Sequence, residues 1–236
     1  MLLRRQTRTT GGIDMIPFAR PESMGYIHKP SDLSPPKGFI AEYKYNGWAV
    51  GISRDKVITR HGKPLPPHAI DPAKKNIEDL RNRIDWDFCS MVHAELMCIT
   101  SRACPVDTLI VHDCMGEYSS ECFHYDRQSL MWLGAAPHVF HAGDLIKPID
   151  QCGSWEGSGG IWKPKRVRFY SSDPTYYAKT HESALHEMME FNSACDHKFY
   201  EGFVYKRISA QYGAKNAWFK QRIQYQLLKM EELTNV

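Results

Sequence analysis

An α+β fold of mostly antiparallel sheets with helices packed on them is what this sequence predicts. Three observations lead there. Short runs rich in aromatic and β-branched residues recur along the chain between turn residues. Only a few segments place apolar residues at helical spacing. At 236 residues, 42% hydrophobic and 24% charged, the chain has the length for a real core, and its composition excludes disordered, collagen-like and coiled-coil classes.

Taken in order, residues 1–37 contain Pro17, Pro21, Pro30, Pro35 and Pro36. Prolines so close together deny both helix and central strand, so this stretch is expected to be an extended leader on the surface of a body spanning 38–222. Residues 39–44 and 48–53 are strand-like and flank Asn46-Gly47, a strong hairpin signal. Residues 56–60 continue the series. Asp71-Pro72 reads as an N-cap and first helical position, followed by Ile77, Leu80 and Ile84 on one helical face. Strand character returns at 88–99 and 108–114, and 126–133 is a short helical candidate. Leu185, Met188 and Met189 mark a helix over 180–193, residues 199–207 and 217–221 are strand candidates, and 223–236 form a polar helix-like tail.

Several functional classes are disfavoured at once. The longest apolar run, 130–136, is far short of the ~20 residues of a spanning helix. The 7 cysteines are odd in number and contain no Cys-x-x-Cys pair, which predicts a reduced, intracellular (cytoplasmic) chain and not a secreted one. His93, Cys98, Cys104, His112, Cys114, Cys122 and His124 crowd one region, but at spacings that match no zinc site. A formal net charge of +3 permits a polyanionic partner only where cations cluster. The segment 162–168, with Lys163, Lys165, Arg166 and Arg168, is the best such cluster, and Arg4, Arg5 and Arg8 offer a basic arm.

The chemistry centres on Glu42-Tyr43-Lys44-Tyr45-Asn46-Gly47. By itself Lys44 is a lysine beside a turn, and most such lysines are solvated. At a strand end facing a cleft, however, burial or neighbouring cations convert an amine to a nucleophile. This segment resembles motif I, Lys-x-Asp-Gly, of the covalent nucleotidyltransferases, the superfamily of ATP-dependent DNA ligases, RNA ligases and mRNA capping enzymes. Five further segments resemble the later motifs in order. Thr59-Arg60-His61-Gly62-Lys63 is similar to motif Ia, His93-Ala94-Glu95-Leu96 to motif III and Val111-His112-Asp113 to motif IIIa. Glu201-Gly202-Phe203-Val204-Tyr205-Lys206 matches motif IV, and Trp218-Phe219-Lys220-Gln221-Arg222 resembles motif V.

The resemblance implies an ATP-grasp-like adenylation domain and a three-step reaction. Lys44 attacks the α-phosphorus of ATP, the AMP passes to a 5′-phosphate, and a 3′-hydroxyl displaces AMP to seal the strand. It also implies roles. Glu42 accepts from the adenine amino group, Arg60 holds ribose or a substrate phosphate, Glu95 contacts ribose, and His112 stacks on adenine. Glu201, with Glu95, binds Mg²⁺. Lys220 and Arg222 share a strand face toward the α-phosphate. Lys206 belongs to the nucleotide site by motif, although strict alternation puts it on the face opposite Glu201.

Four departures from the pattern stand out: Asn46 for the motif I aspartate, His93-Ala94 for the motif III Asp-Gly, His112 for an aromatic, and Arg222 for the second motif V lysine. Fourteen residues follow Arg222, too few for the OB-fold domain of DNA-type ligases, so a single domain is expected to grip its nucleic acid unaided. The expected protein is a monomeric ligase acting on nicked or broken duplexes. Motif I points to DNA ends and Asn46 to RNA or mixed ends. GTP-dependent capping, and a binding module without catalysis, are the alternatives.

Overall fold

The computed structural model describes residues 20–84, 86, 89–97, 108–115, 147–148, 160–167, 174–194 and 198–224. Two sheets, built largely of antiparallel strands, face each other across a cleft. The first has the order β1-β10-β9-β2, from β1 (Glu22–Ile27), β10 (Trp218–Ile223), β9 (Tyr200–Arg207) and β2 (Phe39–Tyr45). The second runs β4-β3-β5-β6-β8-β7, from β4 (Val57–Thr59), β3 (Trp48–Ile52), β5 (Met91–Leu96), β6 (Leu109–Met115), β8 (Ile161–Lys163) and β7 (Lys147–Pro148). Among the described strands only β1 with β10, and β8 with β6 and β7, pair in parallel. No helix among the described residues is long and apolar enough to cross a membrane.

Each sheet is apolar on the face away from the cleft, and a helix covers that face. Tyr43, Phe203 and Tyr205 of the first sheet pack with Leu185, Met188 and Met189 of α3 (Pro174–Ser193). Val50, Ile52, Val92 and Val111 of the second pack with Ile77 and Leu80 of α2 (Lys74–Arg83). Burying one face of each strand leaves period-two alternation to aim the polar residues into the cleft.

Three sequence expectations are corrected. The region 1–37 is not only a leader: residues 22–27 form β1 and extend the first sheet at its edge. The prolines flank that strand and none lies within it, and an edge position with exposed side chains is where Pro-bounded chain can pair. Helical conformation begins one turn before Asp71, at α1 (Pro67–Ile70), and Asp71 itself is αR (φ −52°, ψ −45°). An N-cap needs extended backbone, so Asp71 caps nothing. Ile77, Leu80 and Ile84 are buried as expected.

The third correction matters most for the site. Asn46-Gly47 does not close a hairpin, because β2 and β3 belong to different sheets. Neither residue has the positive φ of a two-residue I′ turn. Instead the pair carries the chain across from one sheet to the other. Asn46 N donates to Phe199 O (2.9 Å) and Asn46 Nδ2 to Lys198 O (2.7 Å). A Cβ on Gly47 would lie 2.6 Å from Leu96 O, so glycine is required by close approach to β5. The chain crosses again at 163–165: after β8, Lys165 O accepts from Tyr43 N (2.9 Å) and Val167 N donates to Ala41 O (3.0 Å).

The expected helix at 126–133, the tail beyond residue 224, and Arg4, Arg5, Arg8 and Arg168 lie outside the described residues.

Candidate active site

Strand pairing assembles the floor. Opposite residues of antiparallel neighbours share a face, and the register sets Lys44 across from Gly202 and Gly202 across from Arg222. One step along, Glu42 meets Val204 and Val204 meets Lys220; at the next, Lys206 faces Trp218. Lys44, Lys220 and Arg222 therefore share the cleft face, as the i, i+2 spacing of the last two predicts.

Two β-bulges complete it. Tyr45 pairs with Tyr200 and Lys44 with Gly202, which leaves Glu201 as an extra residue in β9. Phe203 and Tyr205 face the core, so unbroken alternation would send Glu201 there too; the bulge turns it to the cleft. Lys206 and Glu201 thus line the same cavity, contrary to strict alternation. In the second sheet, β5 pairs His93 with Asp113 and Ala94 with Val111, leaving His112 as the extra residue. Val111 and Cys114 can then both face α2 while His112 enters the cleft.

Between the sheets lies a cavity of about 610 Å³, and among the described residues its lining includes seven Lys/Arg and two Glu. Lys44 Nζ donates to Glu201 and to Tyr45 O (3.3 Å), and Arg222 Nε sits 3.4 Å from Glu201 Oε2. Burial, then the Arg222, Lys44 and Arg60 cations, lower the pKa of Lys220. Burial also lowers that of Lys198, with Arg222 and Lys44 adding to it against Glu201. Glu95 Oε1 accepts from Gly47 N (2.9 Å), and burial pushes its carboxyl up to about 7. His112 stands with Nε2 4.0 Å from Glu95 and Nδ1 4.0 Å from Glu42, and burial holds it well below the usual imidazole range. His93 is lowered to about 4, by burial first and the Lys206 cation second, and its ring stacks on Trp218 at 6.1 Å.

The chain is similar to two solved ligase structures. One comes from a structure–function study of Lig E DNA ligases, on DNA binding with a minimal scaffold: 11% identity and a TM-score of 0.40, over 86% of this chain and 68% of that one. The other is the ligase domain of LigD from M. tuberculosis, with 11% identity and a TM-score of 0.47 over 86% of this chain and 59% of that one. No protein-family model and no curated protein matches the chain. At this identity the likeness assigns no residue a role.

Not every expected residue reaches the cavity. Glu42 is fully buried: Lys206 Nζ lies 2.7 Å from its Oε2, and Arg166 donates to Oε1 from Nη2 (3.1 Å) and Nε (3.2 Å). It is not among the cavity-lining residues, and this arrangement makes it an ion-pair hub beneath the floor and not an open acceptor for adenine. The basic segment 162–168 is likewise engaged internally. Arg166 is held by Glu42, and Lys165 pairs with Glu187 and lies 5.2 Å from the centre of the Tyr43 ring. These cations serve the second chain crossing, since β-pairing of 165–167 against β2 brings them onto acids that sequence proximity does not reveal. Lys163 lies in β8; its side chain is outside the described set. Arg60 is exposed at the cavity mouth, its Nε 3.2 Å from His61 Nε2.

The cavity also recruits residues the sequence did not single out. Trp218 is two before Lys220, so alternation places it on the cleft face, and Lys206 Nζ sits 4.5 Å from the centre of its ring. Arg20, Tyr45 and Trp48 also line the cavity: Tyr45 lies inside the first motif-like segment, Trp48 directly follows it, and Arg20 carries no sequence signal.

Proposed function

We propose that this chain is an ATP-dependent polynucleotide ligase whose nucleophile is Lys44. One observation supports this above the others: all six motif-like segments, from Lys44 to Arg222, contribute side chains to a single cation-rich cavity. Chemistry of the proposed kind needs positioning and charge neutralisation more than any special reactivity.

In this reading ATP is the first substrate. The Lys44 ammonium releases one proton to solvent and the amine attacks the α-phosphorus; a P–N bond forms, the bond to pyrophosphate breaks, and the nitrogen loses a second proton to solvent. Glu201 holds the amine in place, while Lys220 and Arg222 offset phosphate charge from the same face. Transfer of AMP to a 5′-phosphate and its displacement by a 3′-hydroxyl complete the seal. Among the described residues no group of three or more His, Cys, Asp or Glu could hold a metal unaided. Glu95 and Glu201, the carboxylates that line the cavity among the described residues, fit Mg²⁺, which takes one or two carboxylates plus substrate phosphate oxygens. Such an ion supplies charge neutralisation at the phosphates.

Labelled ATP with magnesium tests the assignment: a covalent adenylate is expected on the wild-type chain and none on Lys44→Ala. An equal adenylate on both, or none on the wild type, defeats it. GTP run beside ATP separates the reading from capping-type guanylyl transfer. A panel with DNA or RNA placed independently on each strand identifies the preferred ends.

A further inference from the structure

Tyr26 is the most exposed large hydrophobic side chain among the described residues, at 51%, and lies on β1, the edge strand of the first sheet. Its direction follows from register. Ser23 pairs with Lys220 and Tyr26 with Arg222, both partners lining the cavity, whereas Ile27 pairs with Ile223 in the core. Paired neighbours share a face of the pleat, so Tyr26 stands on the cleft face of the sheet. Strict alternation from Ser23 would set Tyr26 with Met24 against the core. A bulge between Ser23 and Tyr26, with Gly25 at φ +92°, resets the parity and turns Tyr26 to the cleft side.

That reset places Tyr26 in one row with Lys44. Lys44 pairs with Gly202, Gly202 with Arg222 and Arg222 with Tyr26, straight across the four strands. Three strand spacings, about 14 Å, separate the ends of the row. Gly202 contributes no side chain to it, and the Arg222 side chain, 39% exposed, stands next to Tyr26. His28 extends the aromatic surface: it is exposed too, and its ring centre lies 6.4 Å from that of Tyr26. A lone exposed tyrosine needs no explanation. A ring turned by a bulge onto the row of the cationic site, with an arginine beside it, has the make-up of a surface for unpaired nucleotides: the ring stacks on a base of any identity and the cation takes a phosphate. Tyr26 is not among the residues lining the cavity, so a base on it belongs to the polynucleotide and not to a nucleotide on Lys44.

We propose that Tyr26, with His28 beside it, is a stacking platform for an unpaired base of the polynucleotide substrate, and that Arg222 holds a phosphate of the strand running from that base towards Lys44. The inference rests on the ligase reading for its substrate class and deepens it. Inside a paired duplex the neighbouring bases cover both faces of each base, which leaves the ring nothing to stack on. A base in a single-stranded overhang beside the 5′-phosphate has a face to offer. The site therefore selects 5′-phosphates carried on unpaired nucleotides over those at a fully paired nick.

The test is fluorescence anisotropy without ATP, using two probes of equal length, one with its 5′-phosphate on a short single-stranded overhang and one with it at an internal nick, all other ends closed by hairpins, each made in DNA and in RNA. Wild-type protein is expected to bind the overhang probe more tightly. Tyr26→Leu, which keeps apolar bulk without a π face, should lose roughly tenfold on the overhang probe and far less on the nicked one, and Tyr26→Phe should keep most of the wild-type affinity. Three results overturn the proposal: equal wild-type binding to both probes, a Tyr26→Leu protein of wild-type melting temperature that keeps the preference, or a Tyr26→Phe protein that loses as much as Tyr26→Leu. Because ATP is absent, failure of Lys44 labelling and failure of base stacking are read separately.

Discussion

Glu201 reaches the amine of Lys44 because β9 carries one residue more than β2 where the two strands pair. Gly202 makes that possible. Its φ of +132° is closed to side-chain-bearing residues, and a Cβ there would lie 2.2 Å from Gln221 O. Gly202→Ala is expected to destabilise the fold by about 1–3 kcal/mol through backbone strain. It should also lower the yield of Lys44 adenylate well beyond the loss of folded protein. Urea unfolding and ATP labelling on the same samples check both.

The Glu42 hub predicts a different signature. Glu42→Ala leaves Lys206 buried without its carboxylate and should cost about 3–5 kcal/mol. Replacing both Glu42 and Lys206 by Met removes the stranded charge and should restore much of that loss. Arg166→Ala should cost less, because the Arg166 side chain is 31% exposed. It should leave the salt dependence of nucleic-acid binding unchanged, whereas Lys63→Ala, at an exposed cation lining the cavity, should lower it by about one phosphate contact.

Asn46 stands where the motif that this segment resembles has aspartate, and the structure gives the amide its own task. Its Nδ2 donates to Lys198 O at 2.7 Å. Asn46→Asp sets a carboxylate against that carbonyl and should destabilise by about 1–3 kcal/mol. Installing the aspartate of the motif this segment resembles is thus expected to lower thermal stability and adenylate yield, not raise them.

Two cavity groups give opposing pH dependence. His93 has a folded pKa of about 4 against 6.5 unfolded, so between those values the unfolded chain takes up a proton that the folded one refuses. Stability then falls as pH drops through that window, by up to about 1.4 kcal/mol per pH unit. Glu95 is raised from 4.5 to about 7, so the folded chain keeps a proton the unfolded one releases, and stability falls as pH rises through that range. Measured by urea unfolding between pH 5 and 6.5, Glu95→Gln should make stability rise more steeply with pH than wild type. His93→Gln should flatten the rise.

Local pattern carried much of this fold and part of its site. Alternation along single strands puts Glu42 with Lys44, and Lys220 with Arg222, on common faces. Helical spacing identifies the buried edges of α2 and α3. Each such relation is set within a few residues by backbone period, so it is legible before any folding.

What tertiary structure decided is where parity resets and which charges meet. Asn46-Gly47 has a strong local hairpin preference, yet partners far away in sequence, Lys198, Phe199, Glu95 and Leu96, draw it into a crossing between sheets. Glu201 faces the cleft, and shares it with Lys206, only through a bulge defined by the neighbouring strand. Lys165 and Arg166 resemble a phosphate-binding run, but pairing against β2 delivers them to Glu187 and Glu42. The sequence by itself determined the strand faces and the order of the motif-like segments. The partner of each charge was decided by strand register, a non-local property that a short stretch of chain does not encode.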